Sequence, residues 1–94
     1  MARFVVERTF PHALDIPTTD AGAAACLNLV RNNTEERVSW VTSYVSRDRI
    51  KSYCVYDGPN PDAIRRAAIA NDLPFDSVTE VRVLDPYFYT SATP

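Results

Sequence analysis

Glycine, histidine and cysteine are scarce in this chain: two, one and two among 94 residues. A phosphate-cradling loop needs several glycines close together so that backbone N–H groups can approach the anion, and no such run exists. Cys26 and Cys54 are too few and too far apart for a disulfide framework or a paired-cysteine zinc knuckle. They read as reduced, buried, small hydrophobes. No apolar run approaches the roughly 20 residues that cross a bilayer. The N-terminal MARFVVER carries no apolar signal core. A cytoplasmic chain with no membrane partner is therefore expected. Charge of one sign is missing too: 10 basic and 12 acidic side chains leave a net −2, with no footprint for nucleic acid.

What the chain does have is a dense central stretch, Val38 to Pro59, VSWVTSYVSRDRIKSYCVYDGP. Its β-branched and aromatic residues suit a pleated, half-buried surface. It reads as a hairpin, Val38–Val45 and Ile50–Tyr56, turning at Ser46-Arg47-Asp48-Arg49 and stopped by Asp57-Gly58-Pro59. Before it, RFVVERT (Arg3 to Thr9) reads as a strand. A helix through AGAAACLNLVRNN follows, capped at Thr18 or Thr19, with Ala23, Cys26, Leu27 and Val30 as the buried stripe. After the hairpin, Asn60-Pro61-Asp62 is the strongest local signal. Asparagine caps, proline suits the first helical position, and aspartate favours the positive end of the dipole. The second helix should bury Ile64, Ala67 and Ala68. Ser77 to Leu84 should form the last strand.

The order β-α-β-β-α-β predicts an α+β, ferredoxin-like fold: a four-stranded antiparallel sheet with both helices on one face. Residues 1–86 should be one domain, with an aromatic tail over 87–94. Strict alternation assigns Phe4, Val6, Val41, Val45, Tyr53, Val55, Val81 and Val83 to the helix side. The other face then carries Val5, Glu7, Trp40, Thr42, Tyr44, Cys54, Tyr56, Glu80 and Arg82. That apolar patch is larger than monomers tolerate, so a homodimer packing sheet on sheet is expected, as in dimeric α/β-barrel assemblies. The paired sheets would enclose a small-molecule cavity, with Glu7, Trp40, Thr42, Tyr44, Cys54 and Tyr56 as candidate ligand contacts. The first functional expectation is a non-catalytic binding module. The alternative is a cofactor-independent enzyme (a monooxygenase, isomerase or cyclase) with Glu7 as general base and Tyr44 or Tyr56 orienting the substrate. A third reading is an interaction domain without a cavity. No standard catalytic motif is present.

Three stretches, WVTSYVS, KSYCVYDGPNPDAIRRAA and LPFDSVTEVRVLDP, resemble the bacterial domain-of-unknown-function 4242 family, one group of which is described as nickel-binding. The likeness runs from Arg3 to about Pro86. It implies a ferredoxin-like fold, homodimerisation and, in some members, a bound nickel ion. Thr42 and Ala67 stand where that family's WVHSYV and REHA-like runs carry histidine. Nickel favours imidazole nitrogen, so the chain is expected not to bind nickel tightly. Ala67 joins the candidate ligand contacts of the cavity. His12 is the one candidate metal ligand, although a lone histidine on a proline-flanked loop reads first as a surface residue.

Overall fold

The structure, a computed structural model, describes residues 1–15 and 19–84. Six elements follow in order: β1 (Ala2–Thr9), α1 (Asp20–Glu35), β2 (Ser39–Val45), β3 (Lys51–Gly58), α2 (Pro61–Ala70) and β4 (Ser77–Val81). The strands form one sheet in the order β2-β3-β1-β4, every neighbouring pair antiparallel. This is the ferredoxin-like arrangement. β4 stops at Val81, three residues before the expected end, and Tyr87-Phe88-Tyr89 lies outside the described residues.

The hairpin turn forms where its side chains can replace backbone partners. Ser46 Oγ donates to Asp48 Oδ1 at 2.6 Å, and the amide of Ile50 donates to the same oxygen at 3.0 Å. Arg49 takes the left-handed conformation, φ 64°. Both helices end in the same Schellman motif. Val38 N–H donates to Asn33 O at 2.9 Å and Arg37 N–H to Thr34 O at 3.0 Å; Leu73 and Asp72 repeat this on Ala68 O and Ile69 O. Glycine usually fills the left-handed position of that motif. In this glycine-poor chain Arg37 (φ 58°) and Asp72 (φ 55°) fill it instead.

α2 begins as its sequence dictates. Asn60 Oδ1 accepts from Ala63 N–H at 2.8 Å and Pro61 opens the helix. Its buried stripe is Ala63, Ile64, Ala67 and Ala68. Ile64 lies so close to β3 that a Cβ on Gly58 would stand 2.9 Å from its Cδ1. α1 departs from expectation. Thr19 holds the N-cap position without a side-chain cap bond, and the stripe is rotated. Gly22 and Asn33 are buried and Cys26 and Leu29 half-buried, while Ala23, Leu27 and Val30 are exposed. An alanine-rich helix with Leu27, Leu29 and Val30 adjacent has weak phase information. A polar clasp sets the rotation: Asn71 Nδ2 donates to Asn33 Oδ1 at 2.9 Å, and Asn32 Nδ2 to Asn71 Oδ1 at 2.8 Å, joining the ends of α1 and α2.

The core holds Phe4, Val6, Val38, Cys54, Tyr56, Ala63, Ile64 and Ala67, with Trp40, Phe75 and Val78 packed against it. Fully burying a side chain such as Phe4, Val6 or Ile64 contributes about 1.5–3 kcal/mol. The register sets the faces. Phe4 pairs with Tyr56 and Val6 with Cys54, so these four share the helix side, while Val5 pairs with Val55 and Glu7 with Tyr53 on the open side. The expected phase of β3 is thus reversed: Cys54 and Tyr56 face the helices, Tyr53 and Val55 the open face. Val81 pairs with Arg3 in the open-face column, not on the helix side. Glu80, Arg82 and Val83 are exposed, the last two beyond the end of β4.

In β2 a bulge accounts for the difference. Trp40 pairs with Tyr56, but Thr42 pairs with Val55, so Val41 is the extra residue. Trp40 therefore turns to the helix side, Thr42 and Tyr44 stay on the open face, and Ser43 and Val45 join Trp40. The bond from Trp40 Nε1 to Ser43 Oγ, 2.8 Å, is direct evidence of this, since residues three apart on a regular strand face opposite ways. Val41, expected in the core, is 45% exposed.

Candidate functional site

A cavity of about 110 Å³ opens on the helix side of the sheet, at the end where β1 leaves it. Its floor is made of strand residues: Arg8 from β1, Trp40, Ser43 and Val45 from β2, and Ser52, Cys54 and Tyr56 from β3. Phe10, Leu14, Leu29 and Leu73 form the apolar walls. Two of these come from the β1–α1 loop, which backbone bonds tie to the hairpin turn: Phe10 N–H to Ile50 O at 2.6 Å and Leu14 N–H to Arg49 O at 2.7 Å. Leu73 is brought in by the Schellman turn closing α2. The bulge supplies the fourth side by rotating Trp40 inward.

Arg8 is the unusual member. Phe4, Val6 and Arg8 are alternate residues of β1 on one face, 1%, 0% and 2% exposed. A guanidinium thus occupies a place where the pattern would put an aliphatic side chain. Its Nη1 donates to the Tyr56 hydroxyl at 3.3 Å, and its charge lies 5.6 Å from the centroid of that ring. Its Nε is buried with no hydrogen-bond partner. Among the described residues no carboxylate pairs with it. Burial raises the Tyr56 hydroxyl above its ordinary pKa, only partly opposed by the charge of Arg8, so at neutral pH it keeps its proton. Arg8 escaped the sequence reading; the signal was its phase, third in the period-2 series begun by Phe4 and Val6.

The structure divides the expected site residues. Trp40, Cys54 and Tyr56 line the cavity. Glu7, Thr42 and Tyr44 lie across the sheet on the open face, so the expected single set does not assemble in one chain. Glu7 is engaged with Lys51 at 3.4 Å. Ala67 is sealed in the core, 3% exposed, and does not line the cavity. His12 is exposed on the β1–α1 loop. The open face carries one ion pair, Arg3 with Asp57 at 2.8 Å, and one lysine shared by two carboxylates, Lys51 with Glu7 at 3.4 Å and with Asp76 at 3.5 Å. The hydrogen bond from Arg3 holds the Asp57 carboxyl below the usual aspartate value; at Asp76 the Thr9 hydroxyl, donating at 2.6 Å, does the same, with Lys51 adding to it.

The family described as nickel-responsive protein SCO4226-like matches residues 4–81. The chain belongs to this family. Among solved structures, the crystal structure of SCO4226 from Streptomyces coelicolor A3(2) is similar to it, with 19% sequence identity and a TM-score of 0.70, covering 89% of this chain and all 100% of the other. At that identity the likeness establishes the fold. No curated protein matches the chain.

Among the described residues of this member of the SCO4226-like family, the donors of one chain do not assemble a nickel site. Among the described residues no three side chains of His, Cys, Asp or Glu converge. Cys54, the one sulfur donor at the cavity, is directed at Ser52 Oγ, 3.7 Å away, with no imidazole beside it. The two positions that the resemblance marks for histidine also lie apart. Thr42 is on the open face and Ala67 is on the buried stripe of α2, on opposite sides of the sheet. Histidines placed there could not share an ion within one chain.

Proposed function

We propose that this chain is a cytoplasmic, homodimeric, non-catalytic binding module of the SCO4226-like family. It takes a small organic molecule in the helix-side cavity, and the family's metal site is degenerate. The observation that carries the reading is the cavity: apolar walls, a few polar groups at the floor, and a volume of about 110 Å³. For scale, an apolar cavity of ~150 Å³ holds one benzene. Family membership supports a small binding module; the absence of a converging donor set among the described residues supports a ligand other than a metal ion. A reduced cytoplasmic protein accords with two free thiols. No observation favours the enzyme alternative: Glu7, its base, shares the open face with Tyr44, away from the cavity, and is held by Lys51 at 3.4 Å.

The test is a screen of small organic acids, amines and neutral compounds by thermal shift, since a ligand bound only by the folded state raises the melting temperature by mass action. A saturable rise with at least one compound is expected, and a flat panel at millimolar ligand overturns the reading. Calorimetry with Ni²⁺ at neutral pH should show no stoichiometric uptake; submicromolar binding would mean that the metal site survives.

The dimer surface is the open face, with Val5, Val55 and Tyr53 central; Arg3 is paired with Asp57, and Lys51 partly offsets Glu7 and Asp76, which lowers the penalty for covering them. Trp40 is no longer part of it. Val55→Asp should yield a monomer by size exclusion with light scattering, and a wild type already monomeric at micromolar concentration ends this part of the proposal.

A further inference from the structure

We infer that the cavity binds an organic anion, a small monocarboxylate with an apolar body, and that Arg8 is its counter-ion. This rests on the binding-module reading above and specifies the ligand class. Arg8 is 2% exposed, yet no carboxylate pairs with it among the described residues. Buried charges in proteins are ordinarily paired, because an isolated ion loses its hydration and gains nothing in return. Here the guanidinium reaches only a neutral hydroxyl and a ring face, and its Nε–H is unpartnered. Arg8 is one of the residues that line the cavity, so the missing partner has a place to sit.

The surroundings narrow the chemistry. The Tyr56 hydroxyl accepts from Arg8 and retains its own proton, so it offers a second donor to the same anion. The planar fork of a guanidinium suits a carboxylate. Phe10, Leu14, Leu29 and Leu73 then need an apolar body to cover them, which disfavours a bare inorganic anion. The cavity is open to solvent, so an acid of about the size of isovalerate or benzoate can seat its carboxylate at the floor and leave part of its apolar body in the mouth.

Trp40 is the only tryptophan of the chain and lines the cavity, so its indole N–H resonance reports occupancy without assignment. Isovalerate and benzoate should shift that resonance saturably in the wild type. Isovaleramide and benzamide, the same shapes without charge, should bind roughly ten- to hundredfold more weakly, the usual loss when a charge-assisted hydrogen bond is removed. Arg8→Met should erase the preference for acid over amide. Arg8→Lys should keep the preference at lower affinity, which a purely structural arginine would not produce. Equal affinity for acids and amides in the wild type overturns the anion inference while leaving the binding module standing. If neither acids nor amides move the indole signal, the inference also fails, and the thermal-shift panel then decides the broader reading by itself. The acid–amide comparison uses the wild type alone, so it holds whether or not the variants fold.

Discussion

Replacing Arg8 by methionine should make the empty protein more stable. A guanidinium that is 2% exposed has lost nearly all its water. The effective penalty for burying an ion in a real protein is several kcal/mol. Two contacts oppose it. The 3.3 Å bond to the Tyr56 hydroxyl is long, so its contribution lies near the low end for a charged group, about 1.5 kcal/mol. The Tyr56 ring, 5.6 Å away, adds at most ~2 kcal/mol when desolvated. Methionine has similar reach, no polar hydrogen and enough flexibility to fill an irregular gap. The balance favours Arg8→Met by about 1–2 kcal/mol, and for a domain of this size each kcal/mol shifts the melting temperature by roughly 4–8 °C. Urea and thermal unfolding, followed by circular dichroism in a buffer free of carboxylates, measure it. Tyr56→Phe supplies the cross-check. It should destabilise the wild type by about 1–2 kcal/mol by orphaning the guanidinium further, and cost less when Arg8 is already methionine. If Arg8→Met unfolds more easily than wild type, the charge is satisfied in the free protein and the reasoning from its isolation is wrong.

Three further outcomes follow from the geometry. Arg37 holds a left-handed conformation that costs a non-glycine residue about 1–2 kcal/mol. After the entropy that glycine adds to the unfolded chain, Arg37→Gly should gain about 0.5–1 kcal/mol in urea unfolding while Arg37→Ala gains nothing; equal gains would point to the lost side chain instead. Val41→Asp should cost about 1 kcal/mol or less, because the bulge leaves Val41 exposed, whereas Val6→Asp should prevent folding; a large loss at Val41 by the same melts would put it back in the core. Asp57 has a folded pKa below its ordinary value, so its contribution to stability is present above the ordinary aspartate range and is lost as pH falls through the folded value. Carboxyl titration by NMR should place its midpoint below ~3.9, with Arg3→Ala returning it to that value; an unchanged midpoint in the variant would remove Arg3 as the cause.

Wherever one short segment carried both the signal and its partner, the residues determined the outcome unaided. Asn60 caps the amide three residues on, Pro61 lacks the hydrogen that a first turn cannot use, and Ser46 and Asp48 close the hairpin among themselves. These local bonds fix the element order, and the order with right-handed crossovers leaves little choice but the ferredoxin-like sheet. The face of each strand was a different matter. β3 carries Tyr53 and Val55 in one phase and Cys54 and Tyr56 in the other, so hydrophobicity alone cannot say which pair is buried; pairing with Phe4 and Val6 of β1 decides it, across about fifty residues of chain. One extra residue at Val41 turned Trp40 over, and a single-residue slip exchanges faces because the side-chain period of a strand is two. The rotation of α1 goes with the clasp between Asn33, near the end of α1, and Asn71, the residue that caps α2. The candidate site follows from these three decisions. Arg8, Trp40, Tyr56 and Leu29 line one cavity only once the bulge, the β1–β3 register and the rotation of α1 are all in place, so their convergence is a property of tertiary packing that no stretch of the chain contains by itself.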